Sequence, residues 1–516
     1  MRHGFQASGG ATLFGATIKL SCDCSGGEFL KNPKTFALYL SKAKVGANLF
    51  MREGFSAIGE VRLHGTTIIG NLECQDGSFL NHGCTAMLAD GLSVGGRALL
   101  NCQAYGMVSL FRCRIDGELN CTRGRFHGGG QPAISISLDR ANIAGNVYLS
   151  NDFVAYGEVS LLGATINGNL DCRESRFVNA GLTALDIGGA AIGGSALFGS
   201  EFRAEGTVRM TGTTIARDLD CRGAYFFTGS QEHEAIDARR LKVGHDGLFG
   251  DGMRTNGLII LGNASLDTLS FSGAEFIGDG KNGVSVRNAT ITNQFVWQAV
   301  KKTENTNLDM AYARIAYLED DKGSWPAQGN LQLEGLSYMS IAATSPVDWR
   351  THLVWLRRQA HSSFSPQPYD QLAKVLRDSG HEKDAKRVAM EKQDDRRNFG
   401  DMSPLGRLGN FFLEVTIGHG YAPGRAFAWG IAIIVAFGLL FYLADNEGLM
   451  VPAEDKVFAS KPYQTKLVLP DYYPSFHAML IHSKSFYLPS TCGRRTRGNL
   501  ATRTTARFME RCYPVA

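Results

Sequence analysis

Residues 157–177 read GEVSLLGATINGNLDCRESRF, and this stretch recurs in varied form along the first two thirds of the chain. Further copies occupy 59–79, 106–126 and 206–226, and degenerate copies end at Phe29 and Phe276. The terminal phenylalanine returns every 47–51 residues, and related half-units such as ALDIGGAAIGGSALF (184–198) lie between the copies. Each long period therefore consists of two coils of about 25 residues.

Within one copy, apolar residues fall at alternate or fifth positions and glycines separate them. The apolar positions are Val159, Leu161, Ile166, Leu170 and Cys172, and the glycines are Gly157, Gly163 and Gly168. Such short strand-type runs lack the 3.6-residue period of a helix. Short strands at a fixed period, with glycine corners that turn at positive φ, are typical of a β-helix. We therefore predict a mainly β fold, a right-handed β-helix (pentapeptide-like solenoid) over residues 1–340.

One cysteine recurs at the same repeat position in alternate coils. Its copies are Cys24, Cys74, Cys121, Cys172 and Cys221. Coils stack ~4.8 Å apart, so neighbouring copies lie roughly 10 Å apart, whereas a disulfide needs Cα atoms within about 7 Å. We predict that these residues form a structural core ladder of free thiols, without disulfides and without a shared metal. The recurring phenylalanines are likewise predicted to stack in the core or at a corner.

The composition and the motif search point away from catalysis. The 53 basic and 49 acidic residues nearly cancel, which gives no reason to expect a nucleic-acid partner. The carboxylates of Glu73, Asp171 and Asp220 recur one per repeat, at a spacing too wide for a retaining glycosidase pair. A GxGxxG match at 278–283 continues into strand-type residues rather than the required helix. We predict no catalytic, cofactor-binding or metal-binding residues.

Beyond the solenoid, the pattern becomes helical. Residues 346–400 are predicted to form a helical hairpin, in which Pro368 lies in the first turn of one helix and Gly380 ends it. The next helix is rich in Lys383, Lys386, Arg387, Lys392, Arg396 and Arg397. A solvated helix face and a contact with anionic lipid both remain open for this cluster.

The segment that follows is predicted to approach and cross a membrane. Residues 401–424 form a juxtamembrane amphipathic segment, in which Leu405, Leu408, Phe411, Phe412 and Val415 are apolar. Residues 425–445 form a single transmembrane helix, because 426–444 carries no charge and spans about 28 Å. The predicted membrane-interface residues are Arg396, Arg397, Arg407, Arg425, Trp429 and Tyr442. Basic residues precede this helix and acidic ones follow it, so the positive-inside rule places the solenoid in the cytoplasm.

Residues 446–516 are expected to form a tail that is partly disordered. The stretch 472–489 is apolar but too short and polar to span a membrane, and the basic residues after it have no periodicity. Cys492 and Cys512 could pair if the tail is extracytoplasmic. The first residues of the chain enter mid-repeat, which favours a longer ancestral array over a covering subunit.

The repeat LxGATIxGNLDCxxxxF, the segment PQPYDQLAKVLRDSGHEKDAKRV and the sequence GRAFAWG together resemble one bacterial family. Its members are pentapeptide-like β-helix proteins with a C-terminal transmembrane anchor, mostly uncharacterised, and some carry the label membrane-associated oxidoreductase. The resemblance covers residues 1 to about 489 and implies a β-helix tethered to the bacterial inner membrane. Members commonly have a second apolar segment where this chain has its basic tail.

Two functions follow as hypotheses. The first is a membrane-anchored β-helix scaffold or binding protein at the cytoplasmic face of the inner membrane, bound to the lipid bilayer. Its solenoid would bind a protein partner or associate with itself. The alternative is a membrane-associated oxidoreductase, which needs a redox cofactor for which the sequence offers no recognisable site.

Overall fold

The computed structural model describes residues 1, 4–30, 36–130, 133–229, 234–278, 282–345, 348–360, 364–447, 449, 455–466 and 468–471. These residues form two compact units, one within 1–404 and the other within 405–516. The stretch 472–489 and the cysteines Cys492 and Cys512 lie outside the described residues.

The first unit consists mainly of very short β-strands. In chain order they are β1 Gln6–Ser8, β2 Ala11–Thr12, β3 Thr17–Ile18, β4 Cys22–Asp23, β5 Glu28–Leu30, β6 Leu38–Tyr39, β7 Lys44–Val45, β8 Leu49–Phe50, β9 Ser56–Ile58, β10 Val61–Arg62, β11 Thr67–Ile68, β12 Leu72–Glu73, β13 Ser78–Leu88, β14 Ser93–Val94, β15 Ala98–Leu99, β16 Gln103–Ser109, β17 Arg114–Ile115, β18 Leu119–Asn120, β19 Arg125–His127, β20 Ile134–Ser137, β21 Asn142–Ile143, β22 Val147–Tyr148, β23 Phe153–Tyr156, β24 Glu158–Ser160, β25 Thr165–Ile166, β26 Leu170–Asp171, β27 Ser175–Asp186, β28 Ala191–Ile192, β29 Ala196–Leu197, β30 Arg203–Arg209, β31 Thr214–Ile215, β32 Leu219–Asp220, β33 Tyr225–Phe227, β34 Glu234–Asp237, β35 Lys242–Val243, β36 Gly247–Leu248, β37 Arg254–Thr255, β38 Leu258–Ile260, β39 Ser265–Leu266, β40 Leu269–Ser270, β41 Glu275–Phe276, β42 Asn282–Ser285, β43 Thr290–Trp297, β44 Thr306–Asp309, β45 Arg314–Asp320, β46 Leu331–Gln332 and β47 Ser337–Ile341.

These strands build a parallel β-solenoid whose coils have four sides. The stretch at 157–177 supplies one coil, because β24, β25, β26 and the start of β27 lie on successive sides. Each of these strands pairs in parallel with its counterparts in the neighbouring coils. One corner recurs as a residue in the left-handed region at Gly15, Lys42, Gly65, Gly91, Arg112, Arg140, Gly163, Gly189, Gly212, Arg240, Asn263, Asn288, Tyr312 and Gly335. Fourteen successive corners bound about 13 turns, which confirms the predicted β-solenoid.

The core of the solenoid is filled by the apolar positions of the repeat. Val159, Leu161, Ile166, Leu170 and Cys172 are each at most 1% exposed. They lie on successive sides of one coil, so each packs against equivalent positions above and below. The alternation of inward and outward residues along each strand explains the spacing seen in the sequence.

The glycines of the repeat have two different roles. Gly163 turns the recurring corner with a φ of +63°, as expected. The prediction that each glycine turns a corner at positive φ is wrong for Gly168, whose φ is not positive. A Cβ atom at Gly168 would lie 2.3 Å from Oδ1 of Asn146 and 2.8 Å from the carbonyl carbon of Gly145. Glycine is therefore needed there because the coil below approaches too closely.

An asparagine after this glycine joins one coil to the next. The Oδ1 atom of Asn146 accepts a hydrogen bond from the backbone N–H of Asn169 at 2.8 Å. Asn169 in turn accepts from the N–H of Ser195 at 2.8 Å, and Asn48 accepts from Asn71 in the same way. These bonds satisfy backbone donors at a corner that the strand ladders do not reach.

Phenylalanine rings form a stack that uses two different sequence positions. Phe177 lies in register with Ala155 and Ala204 of the adjacent coils. In those coils a phenylalanine two residues earlier supplies the ring instead, so Phe177 lies 5.3 Å from Phe153 and 5.4 Å from Phe202 between ring centroids. The alternation of large and small residues at two positions keeps the cross-section filled.

Three helices, α1 (Trp349–Leu356), α2 (Gln367–Asp378) and α3 (Glu382–Phe399), complete the first unit. The buried residues Trp349, Leu353 and Leu356 of α1 belong to the same continuous core as the last coils. The carboxylate of Asp395, on α3, accepts two hydrogen bonds from Arg357 at 2.8 and 2.9 Å. It also accepts one from the hydroxyl of Tyr369 on α2 at 2.9 Å. This network ties the end of α1 to both α2 and α3.

The second unit is helical in its described residues. It contains α4, nearly all of it, and then α5 to α7. Their bounds are α4 (Pro404–Ile417), α5 (Pro423–Asn446), α6 (Asp455–Phe458) and α7 (Lys461–Lys466).

Candidate functional site

An exposed apolar surface belongs to α5, the one described helix that is long and apolar enough to cross a membrane. It has 24 residues, and only 6% of its most apolar stretch is buried. At 1.5 Å per residue α5 is about 36 Å long, which exceeds the hydrocarbon core of a bilayer. The core helix of a soluble protein would instead bury most of such a surface.

Two of the predicted membrane-interface residues join α5 to α4. The guanidinium of Arg425 donates to the backbone carbonyl of Glu414 at 3.0 Å. The indole N–H of Trp429 donates to the carbonyl of Val415 at 3.1 Å. Both acceptors lie in the last turn of α4, where helix carbonyls lack partners of their own. These side chains therefore hold the bend between the two helices, and both remain exposed.

The remaining predicted interface residues are distributed over three helices. Tyr442 is 56% exposed near the end of α5, and Arg407 is exposed on α4. On α3, Arg396 is exposed, whereas Arg397 forms an ion pair with Asp394 at 3.2 Å. Most other basic residues of α3 also have acidic partners, such as Asp370, which accepts from Lys392 at 2.6 Å. The helix α3 carries six basic and five acidic residues, so its net charge is +1.

The five cysteines of the predicted core ladder lie in one column of the solenoid interior, hereafter the cysteine column. All five, Cys24, Cys74, Cys121, Cys172 and Cys221, are buried and have free thiols. Backbone bonding places Met51, Leu100, Leu149 and Phe198 between them in the same column. Burial raises the pKa of Cys74, Cys121, Cys172 and Cys221 well above the ordinary value. These thiols are therefore protonated and weakly nucleophilic at neutral pH.

Other cysteines also face the interior. Cys102 takes the place of a ring between Phe79 and Phe126, and burial raises the pKa of its thiol to about 12. Cys22 contacts Cys24, and a hydrogen bond between the two thiols lowers the pKa of Cys22 and raises that of Cys24. Among the described residues, no three His, Cys, Asp or Glu side chains are grouped to hold a metal ion.

The recurring carboxylates beside the cysteine column are engaged by arginine. Asp171 accepts from the guanidinium of Arg173 at 2.7 and 3.0 Å. Asp220 accepts from Arg222 at 2.8 and 3.0 Å. Burial raises the pKa of Asp220, but the hydrogen bonds and charge of Arg222 outweigh it, so the pKa lies below its ordinary value. Asp220 therefore stays ionised. Both carboxylates are bound by an arginine of their own coil, which suits a structural role.

An open groove follows one corner of the solenoid over several coils. One wall is an acidic column formed by Asp152, Glu174 and Glu201, and Asp251 continues this column two coils beyond the groove. The other is a basic column formed by Arg176 and Arg203. Beyond the groove this column continues through Tyr225 to Arg254, in the same register. At the N-terminal end of the groove both walls are basic, because Arg123 and Arg125 line it there. All charged members of both columns are exposed.

A buried polar cluster lies where α1 meets the last coils. Asp320 is 2% exposed, Tyr338 4% and His352 0%. One carboxylate oxygen of Asp320 accepts from the indole N–H of Trp325 at 2.7 Å. Its other oxygen, the Tyr338 hydroxyl and both ring nitrogens of His352 have no hydrogen-bond partner.

Burial sets the charges of this cluster. It lowers the pKa of His352, against the attraction of Asp320. It raises the pKa of Asp320, against the charge of His352 and the hydrogen bond from Trp325. Burial in this place therefore disfavours every charged form.

No protein-family model, curated protein or solved structure matches this chain. The fold and the surfaces described above therefore carry the functional argument.

The sequence reasoning did not find the charged groove or the buried polar cluster. The groove combines residues two or three positions apart in a coil, and the sequence contained a signal: Glu174, Glu201 and Asp251 are followed by Arg176, Arg203 and Arg254. The cluster left no such pattern, because Asp320 and His352 are 32 positions apart and lie outside the repeat.

Proposed function

We propose that this chain is a membrane-anchored scaffold or binding protein, in which α5 inserts into a bilayer and the solenoid presents its outer surface. The observation that carries the proposal is the exposed apolar surface of α5, including Phe427 at 80% and Ile431 at 60% exposure. Such a surface is stable in hydrocarbon and costly in water. Arg425 and Asp445 are the charged residues on either side of its uncharged segment, and they are about 30 Å apart along the helix.

The helix α4 fits the water–lipid boundary. Leu405, Leu408 and Phe412 are 83%, 55% and 58% exposed, so α4 presents apolar side chains that the described residues of its unit do not cover. We place α4 in the interface, with Arg425 and Trp429 fixing its angle to α5. Trp429 and Tyr442 are the residue types that are enriched at the two membrane boundaries.

The orientation follows from charge. Arg396, Arg407 and Arg425 precede the apolar segment, whereas Asp445 and Glu447 follow it. The positive-inside rule supports a cytoplasmic solenoid, and the resemblance to bacterial proteins supports the inner membrane. The proposal assigns no catalytic role to the solenoid, since its recurring carboxylates and cysteines are engaged in its own packing.

Flotation with lipid vesicles tests the anchor. The full chain is expected to float with vesicles, and the variant Ile433→Arg with Phe437→Arg is expected to remain at the bottom, because two buried charges oppose insertion. The matched control, Ile58→Arg with Ile69→Arg on the solenoid surface, should float as well as the wild type. Flotation of the α5 variant at the wild-type level would contradict the anchor.

Two further readouts use the same preparation. Protease added to inverted inner-membrane vesicles should digest the solenoid, and protease added outside intact spheroplasts should not; the reverse result would overturn the orientation. A visible absorption band from a bound flavin or other chromophore would support an oxidoreductase over a scaffold.

A further inference from the structure

The two walls of the groove carry opposite charges that do not neutralise each other. Along β27, β30 and β37 the basic column uses partners outside the groove. Arg176 pairs with Glu205 at 2.6 Å, Arg254 pairs with Glu275 at 3.0 Å, and Arg203 lies 4.8 Å from the ring centre of Tyr225. Among the described residues no ion pair joins the basic column to the acidic column.

The spacing of the two columns is set by the coil. In three coils an acidic residue at the corner precedes an arginine by two or three positions, as in Glu174 and Arg176. The coil between the second and the third of these has Gly223 and Tyr225 at the same places. Two residues of extended chain span about 7 Å, and successive coils lie ~4.8 Å apart. In the two coils with Glu174 and Glu201 the groove therefore carries negative charge on one side and positive charge on the other, and the same arrangement returns at Asp251 and Arg254.

Only one symmetric pairing of two such grooves is attractive. With a two-fold axis parallel to the solenoid axis, each column faces the opposite column of the other copy at the same height. With a two-fold axis perpendicular to the solenoid axis, each column faces itself and is repelled. The parallel arrangement brings Arg176 opposite Glu174, Arg203 opposite Glu201, and Arg254 opposite Asp251, each twice by symmetry.

We propose that the groove binds the same groove of a second copy of this chain, in a parallel two-fold dimer. The partner is a second copy because the three acid–arginine pairs of one copy meet the same three pairs of the other at equal heights, which a partner with a single sign of charge would not match. Repulsion between Arg123 and Arg125 of the two copies limits the contact to the coils that follow them. The pairing names a partner for the proposed scaffold and therefore rests on that function.

The dimer is expected to be weak between separate molecules in solution. Exposed ion pairs each contribute little and are screened by salt. Anchoring both copies in one bilayer raises their effective concentration, so the pairing should be strong enough to detect in membranes. In the parallel arrangement both solenoids point the same way, which is compatible with two chains anchored in the same membrane.

The test uses two charge-reversed variants of the full chain, each made with two different affinity tags. One carries Glu174→Lys with Glu201→Lys, and the other carries Arg176→Glu with Arg203→Glu. Copies with the two tags are reconstituted together into vesicles, and capture of one tag is followed by measurement of the other. Wild-type copies should capture each other. In each variant alone, the captured amount of the second tag should be about tenfold lower, because like charges then face each other.

A mixture of the two variants provides the decisive measurement. One variant then has two positive columns and the other two negative ones, so the mixed pair should recover most of the wild-type capture. A matched control is Arg112→Glu with Arg140→Glu, at the left-handed corner to which Gly163 belongs. It should capture the second tag as well as the wild type does. Failure of the mixture to recover, or full capture by either variant alone, would overturn the pairing.

Flotation of the same samples separates this proposal from the anchor. Variants that float normally but do not pair when mixed contradict the dimer and leave the membrane anchor standing. A wild-type chain that floats and shows no capture also contradicts the dimer. A wild-type chain that does not float contradicts the anchor, and capture is then measured in solution at low salt, where its absence overturns the dimer.

Discussion

The middle of the solenoid and its C-terminal end bury different kinds of residue. In the middle, the interior consists of stacked columns such as Leu149, Cys172 and Phe198, and buried polar side chains such as Thr213 and Asp171 are hydrogen-bonded. At the end, beneath α1, the interior contains Asp320, Tyr338 and His352, with polar atoms that lack hydrogen-bond partners. A coil in the middle is covered on both sides by other coils, whereas the last coils are covered partly by a helix that is not a repeat.

The comparison shows why repeats need special ends. A repeated coil finds the same shape above and below, so one set of apolar residues fills the interior throughout. A helix cannot continue the strand ladders, and its side chains must fill the end by a different set of contacts. The polar groups buried there cost stability, and their effects should depend on pH, unlike those of the apolar columns.

The largest expected effect comes from breaking the ring stack in the middle. Phe177→Ala removes a fully buried ring between Phe153 and Phe202, and we expect a loss of about 3–5 kcal/mol in local unfolding free energy. Hydrogen exchange of the coils around residues 150–205 would measure it. The control Val178→Ala changes the next, half-exposed residue and should cost less than about 1 kcal/mol. A loss below about 1 kcal/mol for Phe177→Ala would show that neighbouring rings fill the space.

The second prediction concerns the end beneath α1. Because burial lowers the pKa of His352, the folded form binds fewer protons than the unfolded form once the pH falls below about 6.5. The stability of docked α1 should therefore decrease as the pH falls from about 6.5 towards the lowered pKa. Asp320 acts with the opposite sign: its raised pKa makes its charge costly at high pH, and acidification relieves that cost.

Hydrogen exchange of the α1 amides at pH 7 and pH 5.5, corrected for intrinsic rates, would measure this balance. The wild type should lose protection on acidification, by at most about tenfold for each pH unit below 6.5. His352→Gln should remove most of this loss, because the variant lacks the group whose protonation is disfavoured by burial. The charged groups that act on His352 are Asp320 and Asp348. The control His381→Gln, at an exposed position, should behave as the wild type. An unchanged slope in His352→Gln would assign the pH dependence elsewhere.

The smallest effect sharpens the picture of the corners. Asn169→Ala removes the acceptor of the Ser195 N–H and should cost about 1 kcal/mol. Asn142→Ala, at an exposed strand position, is the control and should be nearly neutral. Urea unfolding followed by hydrogen exchange at residues 190–200 would detect the difference. Equal effects for the two variants would mean that water replaces the lost bond.

The repeat made much of the coil readable in advance. Val159, Leu161, Ile166, Leu170 and Cys172 were recognisable as inward-facing because strand alternation and the fixed period leave few other arrangements. The long apolar segment of α5 was recognisable because 19 uncharged residues in a row are rare in other contexts. Both patterns are local and repeated, and they survive in a single sequence.

Other features were not readable because they depend on neighbouring coils. The close approach that requires Gly168, the bonds from each asparagine to the next coil, and the use of Phe153 and Phe202 to complete the Phe177 stack all arise between coils. The bend between α4 and α5 depends on Arg425 and Trp429 reaching carbonyls 11 and 14 residues away. No local pattern encodes these distances.

The sequence by itself determined the coil, its period, its inward residues and the apolar helix, because each rests on spacing along the chain. The tertiary structure alone decided which residues meet across coils. It aligned the acidic residues of different coils into one column and their arginines into another, and it brought Asp320 to His352 beneath α1. The physical reason is that parallel pairing between coils fixes which residue of one coil lies beside which residue of the next. That register decides which charges are neighbours.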